Sequence, residues 1–152
     1  LRFYLWGYSG DRIDYANNRP ADWVQLAPSL RWSPGEHLNL STSYTWEKLT
    51  VGGGKLYTAG IASLRAVYQF NVRTFLRAIV QHVAYDRNTA LYPFAIAPEY
   101  RHLFTQFLFS YTINPRTVCY LGYSDNGYGN QEYSLTQADR TVFAKIGYAW
   151  VL

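Results

Sequence analysis

At 152 residues, with a formal net charge of +4, 16% charged residues and 18% aromatic residues, of which Tyr supplies 15 positions, the chain departs from ordinary soluble composition. No run of ~20 apolar residues occurs, which excludes a helical membrane span, and an unremarkable mean hydropathy of −0.21 is what a wall with one polar and one apolar face gives. The basic residues are scattered, and eight of the ten acids sit in or beside expected loops, which argues against nucleic acid as a partner.

Taken in order, Leu1 to Arg12 alternates weakly and reads as a strand of open facing that breaks at Ser9-Gly10. Asp14 to Asp22 is rich in turn formers and predicts a long polar loop. Trp23 to Trp32 sets Val24, Leu26, Leu30 and Trp32 against Gln25, Ser29 and Arg31, with Pro28 marking a bulge or edge. After the turn Ser33 to Glu36, His37 to Lys48 is the cleanest strand: Leu38, Leu40, Thr42, Tyr44 and Trp46 share one face, and His37, Asn39, Ser41, Ser43, Thr45 and Glu47 the other.

Leu49 to Gly54 reads as a loop. Its glycine run lacks the following helix that a phosphate cradle needs. Lys55 to Phe70 and Arg73 to Tyr85 flank the short reversal Asn71-Val72, with Leu64, Ala66, Tyr68 and Phe70, then Leu76, Ala78, Val80, His82 and Ala84, on the apolar side. Asp86 to Pro98 predicts another long loop. Tyr100 to Ile113 carries Leu103, Phe107, Phe109, Tyr111 and Ile113 against His102, Gln106, Ser110 and Thr112, and ends in the turn Asn114-Pro115. Arg116 to Ser124 is apolar on both faces, leaving its register open. Asp125 to Ala138 predicts the longest loop.

The last stretch, Asp139 to Leu152, places Val142, Ala144, Ile146, Tyr148, Trp150 and Leu152 on one apolar face. It has the length and the aromatic end of a strand crossing an outer membrane. Lys145, Gly147, Trp150 and Leu152 resemble the C-terminal signal by which outer-membrane barrels are recognised and closed. The whole predicts an all-β, transmembrane antiparallel β-barrel segment, one domain over residues 1–152, with about eight strands joined alternately by long loops and short turns. The expected location is the bacterial outer membrane, with the loops extracellular and the C-terminus periplasmic. Lipid, lipopolysaccharide and the barrel-assembly machinery are the expected partners.

The stretches LRWSPGEHLNLSTSYTWE, LRAVYQFNVRTFLRAIVQ, FLFSYTINPRTVCYLGYSDN and RTVFAKIGYAW resemble one bacterial family. It is the outer-membrane barrel domain of undefined function that follows a carbohydrate-binding-module-like domain. The resemblance covers most of the chain from Leu30 onward and implies a larger barrel of which these would be the last strands. It supplies no catalytic residues.

Alternation assigns Arg31, Arg65, Arg77 and Lys145 to the lumen, with Asn39, Glu47, Gln69, Gln81 and Gln106. A basic lumen favours anions or sugars in transit; alternatively these side chains pair with acids of further strands and fill the barrel. Trp32, Tyr44, Trp46, Tyr68, Tyr111, Tyr148 and Trp150 are expected to form the interfacial aromatic girdle. His37, His82 and His102 fall on different strands, so no metal, cofactor or catalytic group is expected. Cys119, the single cysteine, is expected as a small packed or lipid-facing residue.

The leading expectation is a non-enzymatic barrel passing a solute, plausibly a saccharide given the module that relatives carry. The alternatives are a plugged barrel serving as an anchor or scaffold, and a soluble ligand-binding barrel of lipocalin type. The absence of Met and of a leader reads as a mature product or fragment. A closed ring of about eight strands would bury Arg31, Arg65, Arg77 and Lys145 with only Glu47 to oppose them. That predicts the C-terminal part of a wider barrel, its last strand pairing outside these residues.

Overall fold

The computed structural model describes residues 1–130 and 135–150. Eight strands form one antiparallel sheet in chain order: β1 (Arg2–Asp14), β2 (Arg19–Trp32), β3 (Leu38–Val51), β4 (Gly54–Asn71), β5 (Thr74–Arg87), β6 (Glu99–Asn114), β7 (Thr117–Gly129) and β8 (Thr136–Tyr148). The only helical element among the described residues is a single 3₁₀ turn, Thr89–Leu91, started by Asn88, whose side chain accepts a hydrogen bond from the Ala90 amide. Within the described residues β1 pairs only with β2, and β8 only with β7. The sheet is therefore open, with two unpaired edges.

Several connections are tighter than their composition suggests. The expected loop at 14–22 shrinks to residues 15–18, because Asp14 caps the reversal: its carboxylate accepts from the Ala16 amide at 3.1 Å and from the Asn17 side chain at 2.9 Å, while Asn18 takes the left-handed conformation (φ 49°). The expected loop at 49–54 is a two-residue turn at Gly52-Gly53, and Gly54 has φ +115°. The expected loop at 125–138 is consumed from both ends, by β7 through Gly129 and by β8 from Thr136. In each case pairing with a neighbouring strand satisfies backbone groups that local composition would have left to solvent. Among the described residues, 88–98 remain a long loop as expected.

The exposed area is 10,328 Å², against about 7,900 Å² for a compact monomer of this mass. The excess is the mark of a single layer: among the described residues only Ala21, Leu49, Val51, Leu56 and Ala59 are buried apolar side chains, the first four packed in one cluster. Leu91 and Tyr92 of the 88–98 loop pack on that cluster at the loop end of the sheet. Pro28, opposite Leu5 in the β1–β2 ladder, falls in a gap of the β2–β3 ladder between Leu26↔Trp46 and Ser29↔Ser43, the kind of irregularity where a residue without an N–H is tolerated.

Candidate functional site

Register sorts the side chains into two faces. Trp32, Leu40, Ala66 and Ala78 stand in one cross-strand row, and Leu30, Thr42, Leu64, Val80 and Thr105 in the next but one. Both rows belong to an apolar face that also carries Leu76, Phe107, Phe109, Leu121, Val142 and Ile146. Many of its large side chains have nothing over them, including Leu64 at 44% exposure and Ile146 at 73%. Tyr44, Trp46, Tyr68, Tyr111 and Tyr148 share this parity, and the Trp150 ring meets that of Tyr148 at 5.2 Å. Leu152 lies outside the described residues; Lys145 and Gly147 are in β8.

The apolar band has slanted borders. On the loop side its first charged residues are Lys48, in the row of Thr58 and Asp86, and, at the far edge, Arg140 opposite Asp125, in the row of Thr105, Val80 and Leu64. That row lies six residues further along β4 than Thr58. On the turn side, Trp32, Tyr68, Tyr111 and Tyr148 step down in the same direction. The borders drift by roughly one residue per strand, so the band runs oblique to the strands. From the Leu40 row to Trp46 the band measures about 20 Å along the strand.

The opposite face holds every position assigned to the lumen: Arg31, Asn39, Glu47, Arg65, Gln69, Arg77, Gln81, Gln106 and Lys145 share one parity through the ladders. Near the turn end, Arg2, Arg31, Ser41 and Arg65 stand in one row, and Ser29, Ser43, Ser63 and Gln81 in the row two residues on. Arg77 donates to the Gln106 side chain at 3.2 Å, and its Nε is buried without a partner among the described residues. No carboxylate lies within ion-pair distance of Arg31, Arg65 or Arg77 in the described residues.

Toward the loop end the same face becomes aromatic. Tyr57, Tyr85, Tyr100 and Tyr128, on four successive strands, follow one another with ring centroids 6.3 Å apart, and His102 stacks on Tyr128 at 4.5 Å. Trp23 lies between the Tyr8 ring and the Arg12 guanidinium, the latter 3.5 Å from its centroid. Glu47 accepts from Trp23 Nε1 at 3.3 Å and from the Tyr57 hydroxyl at 3.1 Å, so the lone lumenal acid foreseen is engaged by neutral donors rather than by a base. This lining was missed from sequence because Tyr57 and Tyr100 border segments read as loops and Tyr128 falls inside one. Parity extended through those segments is the signal that finds them.

The 88–98 loop is fastened on this end of the polar face. Asn17 and Arg19 both donate to the Leu91 carbonyl, at 2.9 and 3.1 Å, and Arg19 pairs with the buried Asp14 at 2.8 Å. The Asn88 amide donates to the Leu56 carbonyl at 2.9 Å. Asp14 stands at the turn, beyond the stretch a bilayer would cover. Burial there would raise its carboxyl, but the Asn17, Arg19 and Ala16 hydrogen bonds and the Arg19 charge hold it below its ordinary range.

The histidines lie apart. His37 Nδ1 is 2.6 Å from the Gln69 carbonyl at a turn, His102 is on the polar face beside Asn126, and His82 is on the apolar face opposite Leu103. Cys119 is half-buried on the apolar face, opposite Ile146. The fold and face pattern thus define an all-β chain with one open, two-faced antiparallel sheet. No protein-family model, curated protein or solved structure matches the chain.

Proposed function

We propose that this chain is the wall of a bacterial outer-membrane barrel, the C-terminal part of a ring wider than eight strands, which passes a small solute such as a saccharide along its polar face. The observation that carries the reading is the slanted apolar band, bordered by charge on one side and aromatics on the other. A solvent-facing sheet has no reason to confine its charges to a border that runs oblique to its strands. The unpaired edges of β1 and β8 support further strands, since bare edges invite aggregation. The resemblance to the barrel domain behind a carbohydrate-binding-like module points the same way.

The 88–98 loop favours a second reading on one point. Clamped over the polar face, it narrows the way through, as a barrel used mainly as an anchor or scaffold would require. A lipocalin-type barrel has less support, because its apolar side chains would face inward around a closed ring.

The test is alternate-residue labelling along β4 in the full-length protein, with Cys119→Ala as background. Cysteines at 63, 65 and 67 should react with a water-soluble maleimide in intact outer membranes, and those at 62, 64 and 66 should not. Uniform reactivity, or recovery of the protein from the periplasm without detergent, would remove the membrane reading. Conductance in planar bilayers then separates an open barrel from a plugged one.

A further inference from the structure

The turn end of the polar face holds a group of side chains that the wall itself does not use. Arg31 and Arg65 stand opposite the same residue, Ser41, from the two neighbouring strands, so their backbones are two strand spacings or about 10 Å apart. Ser29, Ser43 and Ser63 face one another across the same three strands in the adjoining row. Together they line an open cavity of about 560 Å³.

Two further guanidiniums border it. Arg2 extends the arginine row on β1, and Arg77 is diagonal to Arg65, since Val67 rather than Arg65 stands opposite it. Like charges in one row repel, and none of these four finds an acid among the described residues. Among the described residues, the buried Arg77 Nε is a donor left without its bond. Serine hydroxyls neither neutralise nor repel; they donate. Guanidinium forks with interleaved hydroxyls are the donor set that a tetrahedral oxyanion takes, two oxygens per fork and the remainder on hydroxyls.

We propose that the Arg31–Ser41–Arg65 row with its Ser29–Ser43–Ser63 neighbours is a binding station for a multiply charged oxyanion, a phosphate- or sulfate-bearing solute. This rests on the polar face being a water-filled passage and names the class of solute it selects. The spacing of the two forks exceeds one phosphate, so the station fits a ligand with two or more anionic groups, such as a condensed phosphate or a doubly esterified sugar. The aromatic lining toward the loop end would meet the uncharged part of such a ligand.

The experiment uses the full-length protein in detergent, titrated calorimetrically with inorganic tripolyphosphate. Arg31→Gln/Arg65→Gln should weaken binding tenfold or more. Arg116→Gln, which removes one exposed charge at the β6–β7 turn, should change it less than twofold. Ser43→Ala should weaken it two- to fivefold with no change in charge, and Arg31→Lys/Arg65→Lys should recover only part of the affinity. All four positions are solvent-exposed, so unchanged migration in unboiled gels is expected to report intact assembly. Absence of tripolyphosphate binding by the parent protein overturns the proposal. So does equal weakening by Arg116→Gln, or a full-length structure in which carboxylates of adjoining strands engage both guanidiniums. Binding without conductance would leave the station standing and refute transit; conductance without binding would do the reverse.

Discussion

Replacing Asp14 by Asn should release the 88–98 loop while leaving the sheet intact. In the parent, the Asp14 carboxylate is 3% exposed and accepts from Arg19 at 2.8 Å, Asn17 at 2.9 Å and the Ala16 amide at 3.1 Å. Arg19 and Asn17 in turn donate to the Leu91 carbonyl. Asn offers one carbonyl oxygen, which can serve Arg19 and Asn17 or the Ala16 amide but not both, and its amide group opposes whichever donors it meets; at least one bond is lost, and Arg19 loses the carboxylate charge that assisted its own. Such a bond contributes about 1.5–3 kcal/mol, and a figure near ~2 is apt because Arg19 is one-third exposed and partly solvated. Two kcal/mol multiplies the open population of the loop about thirtyfold. Tryptic cleavage after Arg87 and amide exchange at Leu91, whose N–H donates to the Asn88 carbonyl, should accelerate by that order when opening is fast relative to cleavage. Because the folded-state carboxyl titrates below its ordinary range, the clamp is fully present above the unfolded value of ~3.9. It is lost as pH falls through the folded value. The variant and parent should therefore converge in strong acid. Unchanged protection at Leu91 in D14N at neutral pH would refute the clamp.

Burial pushes the Tyr92 phenol above its ordinary range, outweighing Arg87, so the loop's docking should persist up to pH ~10 and weaken as pH rises through the folded-state value; exchange against pH would show it. Arg at Leu40, Leu64, Leu76, Phe107 or Ile146 should cost about 2–4 kcal/mol of membrane-folded stability, and Arg at Asn39 or Gln81 less. Equal costs measured by denaturant titration in vesicles would break the facing. The Phe143 ring lies over Gly122, its cross-strand partner, where a Cβ would overlap it. Gly122→Ala should therefore cost about 1–3 kcal/mol, and Phe143→Ala should make the same change nearly neutral, as a double-mutant cycle would read.

Alternation by itself determined the strand number, the antiparallel order and the common parity of the residues from Arg31 to Lys145 that share the polar face. It could do so because the side-chain period of a strand is two, and a one-residue error would have moved every residue of that strand to the wrong face. The short turns at Ser33, Asn71 and Asn114 were legible for the same reason that Pro, Gly and Asn are: their backbone preferences are local. What only tertiary structure decided is how far each strand runs and what the strands bring together. Asp14, Gly52 and Gly129 carry turn chemistry, yet the backbone around them pairs because a neighbouring strand was there to accept it. The Tyr57–Tyr128 row, the Arg31–Ser41–Arg65 row and the Leu91 clamp all depend on inter-strand register. Register is a property of pairs of segments, and the clamp joins residues 74 apart in the chain, so no local pattern encodes either.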